Sequence, residues 1–184
     1  EKTGTTLPQS VLDKARRSAG IILGPISHMD YPPRDQGGIN VSATLRVKLD
    51  LYANIRPARS RPGLSRFGND MDLVIMRENT EGFYADRNMY AGGGEFMPTA
   101  DVALSVRKIT TYACERIARR SFELARQRRK KVTAIHKANN LALTDGLFLR
   151  AVRKVAEEFP DIVLEDLIVD AMAAHLVRHP GRFD

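Results

Sequence analysis

The stretch from Asp72 to Tyr84 carries residue types that could do chemistry. Leu73 to Met76 form a short apolar run, which favours a buried strand. In open α/β sheets, ligands bind at the carboxyl ends of the strands. The segment therefore predicts either a site for an anionic substrate or an ordinary strand end with a solvated polar loop. The polar residues at this end are Arg77, Glu78, Asn79, Glu81 and Tyr84.

Two later predicted strands also end on polar groups, Lys137 and Asp170. A lysine can act as a general base, a tyrosine can donate a proton to an enolate, and an aspartate can hold Mg²⁺. Each residue also has a plainer interpretation. Lys137 could be a surface charge, Tyr84 a packed ring and Asp170 a helix cap.

Three arginines could converge on one cleft. Arg46 is predicted on a helix, Arg56 at a strand end, and Arg77 directly after the apolar run. Three guanidinium groups exceed what one salt bridge requires. They suit a substrate whose two or three carboxylates are held in bidentate fashion.

Composition narrows the classes of function. The 184 residues are 43% hydrophobic and 28% charged, which is ordinary for a globular protein with one core. A net charge of +7 favours anionic partners, but aromatics are only 7% and tryptophan is absent, which argues against a nucleic-acid binder. No apolar run approaches the roughly 20 residues needed to span a bilayer. The single cysteine, Cys114, suits the cytoplasm and is predicted to lie in the core.

The predicted elements alternate between helix and strand, as in an α/β sheet. The segment 87–99 contains three successive glycines and is predicted to be the tip of an excursion. The chain starts and stops in mid-pattern, so we expect a fragment of a longer protein. Helices are predicted at about 8–19, 42–51, 110–129 and 145–159, the last capped by Asp145, and strands at 21–23, 52–56, 73–76, 102–109, 131–135, 162–164 and 167–169.

These features together resemble the isocitrate/isopropylmalate dehydrogenase family of metal-dependent, β-decarboxylating dehydrogenases. The resemblance runs from near residue 20 to the end, with order and spacing kept. It implies the α/β fold of that family, lacking its start and its C-terminal part. Residues 1–51 would belong to the larger, cofactor-side domain, and 52–184 to a smaller dimerisation domain with an arm at about 86–106. The motifs that carry the resemblance are Leu45-Arg46, Asp50 to Pro57, Arg77 to Tyr84, His136 to Asn139 and Val169 to Met172.

The resemblance also implies roles for individual residues. Tyr84 would reprotonate the enolate after decarboxylation, and Lys137 would take the proton of the C2 hydroxyl. Asp170 would be one of the metal-ligand aspartates. In the family, the lysine and this aspartate come from the neighbouring subunit of a homodimer, so that active sites are shared. The malate-like carboxylates would be held by Arg46, Arg56 and Arg77.

Further metal ligands and the nucleotide-binding loop are expected beyond Asp184, so this chain alone is expected to be inactive. Asn40 to Thr44 would read the C3 substituent of the substrate. The polar Asn40 and Ser42 suggest a carboxylated or hydroxylated group, whereas leucines would suit an isopropyl group. We expect oxidative decarboxylation of isocitrate or homoisocitrate with NAD or NADP and with Mg²⁺ or Mn²⁺. The alternatives are 3-isopropylmalate, tartrate, and a non-catalytic subunit.

Overall fold

The computed structural model describes residues 3–61, 63–64 and 71–184. The chain divides into two compact units, Glu1–Leu51 and Tyr52–Asp184. The assignment of these units to a cofactor-side domain and a dimerisation domain stays a prediction.

The first unit contains two helices, α1 (Gln9–Arg17) and α2 (Val41–Lys48). Both were predicted, although each is shorter than expected. Their contact is a small core of Leu7, Leu12 and Leu45. The connection between the helices includes two 3₁₀ turns, His28–Asp30 and Arg34–Gln36.

The connection before α2 is held by a close backbone approach. The Thr6 hydroxyl donates to the carbonyl of Ile39 and accepts from its N–H, both at 2.8 Å. A Cβ added at Gly38 would lie 1.6 Å from the carbonyl oxygen of Pro32, so only glycine fits there. These contacts set where α2 begins.

The predicted buried strand at 21–23 is wrong. These residues form no strand, and Ile22 is fully exposed. A strand requires a neighbour to pair its backbone N–H and C=O groups. Among the described residues of the first unit there is no strand that could serve as that neighbour.

The second unit begins with an antiparallel pair, β1 (Ala53–Arg59) and β2 (Asp72–Glu78). Both strands were predicted and both are longer than expected. The expectation that β2 is buried throughout is wrong, because only Leu73 is fully buried along it. An antiparallel pair can leave one face exposed, and here that face carries polar groups.

A hairpin follows, formed by β3 (Glu95–Thr99) and β4 (Val102–Ser105). The return strand was predicted, but it is shorter than expected, and the outgoing strand β3 was not predicted. Every residue of both strands is exposed. Whether the hairpin is an arm that pairs with a partner stays a prediction.

The rest of the unit alternates helix and strand, which confirms the α/β class. β5 and β6 are parallel, with Lys131 opposite Val163 and His136 opposite Ile168. β6 is continuous where two short strands were predicted. The elements are α3 (Thr111–Ala125), β5 (Lys131–His136), α4 (Thr144–Ala156), β6 (Val163–Ile168) and α5 (Val169–Arg178).

The main core lies between α3 and α4. Phe122 and Val155 are its two most deeply buried side chains. The rings of Phe122 and Phe159 stack with centroids 5.2 Å apart. Ala134 of β5 and Ile162, next to β6, belong to the same cluster. The two helices therefore fix the strands that lead to Lys137 and Asp170.

Within the described part of the chain, no helix has the length and apolar character required to cross a membrane.

Replacing Phe122 by alanine is expected to destabilise the second unit by about 3–5 kcal/mol, since it removes a fully buried ring from a close-packed core. Urea unfolding followed by circular dichroism measures the change. The matched control is Tyr90→Ala, which truncates a fully exposed ring and should cost less than about 0.5 kcal/mol. Equal effects from the two variants would contradict this description of the core.

Candidate active site

One face of the β1–β2 pair carries two of the predicted carboxylate-binding arginines. Asn54 lies opposite Arg77, and Arg56 lies opposite Ile75. Residues two apart on a strand share a face, so Asn54, Arg56 and Arg77 lie together; we call these three the arginine face. Arg56 and Arg77 are diagonal neighbours, a spacing of about 7–8 Å that long side chains can bridge.

Asn54 was not singled out from the sequence. Its Oδ1 accepts a hydrogen bond from Arg56 Nε at 3.0 Å, which orients the guanidinium. Both arginines are exposed. The arginine face can therefore present two guanidinium groups to an anion in solution. The period of two between Asn54 and Arg56 is the sequence signal that could have found this residue.

Tyr84 joins the arginine face. Its hydroxyl accepts a hydrogen bond from Arg77 Nη2 at 3.0 Å. The guanidinium of Arg87 lies over its ring, 4.6 Å from the centroid. The half-buried tyrosine is thus held by two cations, and its hydroxyl lies beside a group that could bind a substrate carboxylate.

The carboxylates of this segment make their contacts away from the arginine face. Glu78 accepts hydrogen bonds from the backbone N–H groups of Thr80 and Glu81, at 2.8 and 2.7 Å. It also accepts from the Arg116 guanidinium at 3.4 Å. Glu78 therefore stabilises the turn that contains Thr80 and Glu81 and connects it to α3 through Arg116.

Glu81 anchors the turn to α3. Its two oxygens accept from the N–H and from the hydroxyl of Thr110, at 2.8 and 2.7 Å. Thr110 is the N-cap of α3, where a negative charge is favoured by the helix dipole. These two hydrogen bonds to Glu81 hold the loop that carries Tyr84 against the N-terminus of α3.

Lys137 and Asp170 form a second cluster. Lys137 follows β5, Asp170 lies in the first turn of α5 directly after β6, and their side chains form an ion pair. Because β5 and β6 are parallel, their carboxyl ends meet at one edge. The hydrogen bond from Lys137 lowers the pKa of Asp170 below its usual range. The prediction that Lys137 and Asp170 follow the ends of two strands is confirmed, since β5 ends at His136 and β6 ends at Ile168.

Asp170 does not belong to a cluster of metal-ligand residues in the described part of the chain. In the described ranges, no three histidine, cysteine or acidic side chains lie close enough to share a metal ion. Mg²⁺ and Mn²⁺ prefer six oxygen ligands. Asp166, in β6, already pairs with Arg153 and His136. The hydrogen bond from Arg153 is the main reason that the pKa of Asp166 is lowered. The described residues do not form a metal site by themselves.

Asp145 was predicted to be a helix cap, which is wrong. The N-cap position of α4 is Leu143, and Asp145 lies inside the first turn with its side chain buried. Its Oδ2 accepts a hydrogen bond from the backbone N–H of Lys137 at 2.6 Å, and its Oδ1 pairs with Arg107. No local sequence pattern predicts these contacts, because Arg107 is 38 residues away.

The remaining predicted residues lie on α2 of the first unit. Asn40 is the N-cap, and its Oδ1 accepts from the N–H of Ala43 at 3.0 Å. Ser42 and Arg46 are one helical turn apart, so they share a face of α2. Whether this face converges with the arginine face stays a prediction.

The arginine face with Tyr84 and the pair Lys137–Asp170 form two clusters of predicted site residues. Among the described residues, no hydrogen bond or ion pair joins one cluster directly to the other.

A cavity of about 650 Å³ lies between β2, α3, β5 and α5. Most of the lining is apolar, including Leu73, Ile117 and Met172. Arg77 and Asp145 are among its polar lining residues, but Tyr84 and Lys137 do not line it. An apolar cavity does not suit a substrate with several carboxylates, so this cavity is not the candidate site.

Cys114 lies in the core, as predicted, and is not a nucleophile. Burial raises the pKa of its thiol from 9.0 to about 12, and the charges of Glu81 and Glu78 add to the effect. Thiolate is the reactive form of cysteine, so this thiol is inert at neutral pH.

The comparisons with known proteins cover the whole chain. The family described as isocitrate/isopropylmalate dehydrogenase matches residues 1–184. A 3-isopropylmalate/3-methylmalate dehydrogenase of Methanocaldococcus jannaschii is 40% identical over all of this chain and 52% of its own length. An isocitrate/homoisocitrate dehydrogenase of Thermus thermophilus is 41% identical, with the same coverage.

A probable mitochondrial NAD isocitrate dehydrogenase subunit alpha of Drosophila melanogaster is 37% identical over 97% of this chain and 45% of its own. The crystal structure of isocitrate dehydrogenase from Methylococcus capsulatus superposes with a TM-score of 0.82 at 43% identity. That match covers all of this chain and 52% of the other. The chain therefore spans about half the length of the relatives it matches.

Cys114 is expected to react with Ellman's reagent at pH 8 at least a hundredfold more slowly in the folded protein than in urea. The reason is its raised pKa together with its burial.

The contribution of the protonated Cys114 thiol to the free energy of unfolding is fully present below pH 9.0 and is lost as the pH rises toward 12. The reason is that the thiol of the unfolded chain ionises at a lower pH than the thiol of the folded protein. Wild type should therefore lose more stability than Cys114→Ala between pH 8 and 10.5. Equal labelling rates in folded and unfolded protein, or equal losses of stability in the wild type and Cys114→Ala, would contradict the burial of this thiol.

Proposed function

The chain belongs to the isocitrate/isopropylmalate dehydrogenase family, and we propose that the protein catalyses the oxidative decarboxylation of a 3-substituted malate. The observation that carries the proposal is the arginine face with Tyr84 hydrogen-bonded to its edge. Such a face suits a substrate with two or more carboxylates, and a proton donor stands beside it. NAD or NADP, when bound, would accept the hydride from C2.

Arg56 and Arg77 bind the carboxylates of the substrate, and Asn54 keeps the Arg56 guanidinium in position. Bidentate guanidinium–carboxylate contacts fix orientation as well as charge. Arg46 would add a third guanidinium from α2. The net charge of +7 increases the rate at which such an anion is captured.

Lys137 takes the proton from the C2 hydroxyl as the hydride leaves C2, which produces a β-keto acid. The bond from C3 to the departing carboxylate then breaks, CO₂ is released, and its electron pair forms the enolate. Tyr84 protonates the enolate at C3. The hydrogen bond from Arg77 supports this role, since it holds the hydroxyl near a bound carboxylate.

Mg²⁺ or Mn²⁺ is the metal we propose, with Asp170 as one ligand. One carboxylate is not sufficient to hold either ion, so other ligands must complete the site. When bound, the ion would polarise the substrate oxygen at C2.

A homodimer with shared active sites is the proposed assembly. Two observations support it: no hydrogen bond or ion pair joins the Lys137–Asp170 pair to the arginine face among the described residues, and the β3–β4 hairpin is exposed. The hairpin exposes apolar side chains at Phe96, Met97, Val102 and Leu104. Edge strands with exposed apolar residues favour pairing with another chain.

The substrate we favour is isocitrate or homoisocitrate. Asn40 and Ser42 precede Arg46 on α2, and polar groups there suit a polar C3 substituent. The second candidate is 3-isopropylmalate, since relatives of similar identity are named for that substrate. Retention of the three arginines, Tyr84, Lys137 and Asp170 favours a catalytic over a non-catalytic subunit.

The test is an assay of the full-length protein with Mg²⁺ or Mn²⁺, in which NAD and NADP are crossed with isocitrate, homoisocitrate, 3-isopropylmalate and tartrate. One substrate should support cofactor reduction, and Lys137→Ala should lower kcat by about 10²–10⁴-fold, because the general base is lost. Lys154→Ala is the matched control. This lysine pairs with Glu115 on the surface and its loss should leave kcat unchanged. Absence of turnover with all four substrates would overturn the proposal and favour a non-catalytic subunit.

A further inference from the structure

We propose that Asp145 is a positioning residue for Lys137, and that Arg107 holds it in place. The proposal rests on the proposed function of Lys137 as the proton acceptor. Asp145 does not touch the reacting atoms; it acts through the backbone from which Lys137 projects.

The burial of Asp145 requires an explanation. Asp145 is only 6% exposed, and with Asn79 it is one of two polar residues that are buried as whole residues in the described part of the chain. An ionised carboxylate in such a place is costly unless its oxygens are paired. Since Asp145 is not the N-cap of α4, capping does not account for it.

Both oxygens of Asp145 are occupied by partners from other elements. Oδ2 accepts the backbone N–H of Lys137 at 2.6 Å, and Oδ1 pairs with Nη1 of Arg107. The same nitrogen of Arg107 donates to the hydroxyl of Thr144 at 3.3 Å. Asp145 also lies in the first turn of α4, where the dipole favours a negative charge. The buried charge is therefore compensated, and its orientation is fixed.

The backbone of Lys137 is fixed on both sides. Its N–H donates to Asp145, and its carbonyl accepts from the N–H groups of Asn140 and Leu141, at 3.0 and 2.8 Å. The next N–H, of Ala138, donates to Nδ1 of His136 at 3.0 Å. The Lys137 side chain pairs with Asp170, so this ion pair and the backbone hydrogen bonds together set the region the amine can reach.

Arg107 connects Asp145 to the loop of the other candidate catalytic residue. Its guanidinium lies 5.9 Å from the ring centroid of Phe83, which precedes Tyr84. Arg107 itself lies two residues after the end of the hairpin strand β4. One guanidinium thus contacts both the support of Lys137 and the neighbour of Tyr84, so its loss should disturb both.

Replacing Asp145 by alanine should lower kcat, since displacement of a catalytic group by about 1 Å can cost about 10²-fold. KM should change by less than about threefold, because the arginine face is unaltered. Asp145→Asn should recover part of kcat, because its amide oxygen can still accept the Lys137 N–H, whereas its NH₂ group cannot accept from Arg107. Arg107→Lys, which keeps the charge, should be less harmful than Arg107→Ala. The matched control is Asp161→Ala, which removes a carboxylate that pairs with Arg126 on the surface.

A second readout separates this proposal from the proposed function. Amide hydrogen exchange of the Lys137 N–H, measured by NMR or mass spectrometry in the full-length protein, should accelerate in Asp145→Ala and accelerate less in Asp145→Asn, which keeps one acceptor oxygen. All rates and kinetic constants are measured well below the unfolding midpoint of each variant. If Lys137 exchange depends on Asp145 but wild type turns over no substrate, the positioning is supported and the proposed function fails.

Two results would overturn the positioning role. One is a folded Asp145→Ala variant whose Lys137 amide exchanges as in wild type. The other is a folded Asp145→Ala variant with wild-type kcat in an active enzyme.

Discussion

The packing of α3 against α4 around Phe122 is the interaction on which the second unit depends. Phe122 is fully buried, stacks on Phe159 and lies in one cluster with Ala134 of β5. The carboxyl ends of β5 and β6 carry Lys137 and Asp170, so the helical core decides where these groups stand. The same α3 presents its N-terminus to Glu81, which fixes the loop of Tyr84. One helix pair therefore supports both clusters of the candidate site.

The acidic and the basic side chains of the candidate site have different positions: the carboxylates are turned inward and the arginines are exposed. The acidic side chains Glu78, Glu81 and Asp145 turn inward and satisfy backbone N–H groups. Arg56 and Arg77 stay exposed. An inward carboxylate paired with N–H groups is stable without a substrate, whereas exposed guanidinium groups are available to one. The exposed arginines form the surface that we propose for the substrate carboxylates, and the inward carboxylates stabilise the loops and helices around it.

Much of this arrangement could be predicted from the sequence. Helical periodicity located α3 and α4, and apolar runs located β2, β5 and β6, because these signals are local. The positions of Lys137 and Asp170 at strand ends followed from the same runs. The partner of a strand is not a local property, so the prediction failed at 21–23, and the antiparallel pairing of β1 with β2 was not predicted although both strands were.

The inward carboxylates were also beyond prediction, for the same reason. The sequence left open whether Glu78 and Glu81 belong to a reactive site or to an ordinary polar loop, because it does not show that α3 returns to them 29 or more residues later. Asp145 read as a cap because its position fits one, while its true partners are Arg107 and the backbone of Lys137. Side-chain direction depends on tertiary contacts, and these are not encoded by spacing alone.

The most direct test of the account is the fate of the hydrogen at C2. The full-length protein would be given substrate deuterated at C2 together with NAD or NADP and Mg²⁺, and the products would be analysed by mass spectrometry. The account predicts one deuterium in each reduced nicotinamide and one CO₂ released per turnover. Reduced cofactor without deuterium, or CO₂ release without cofactor reduction, would contradict it.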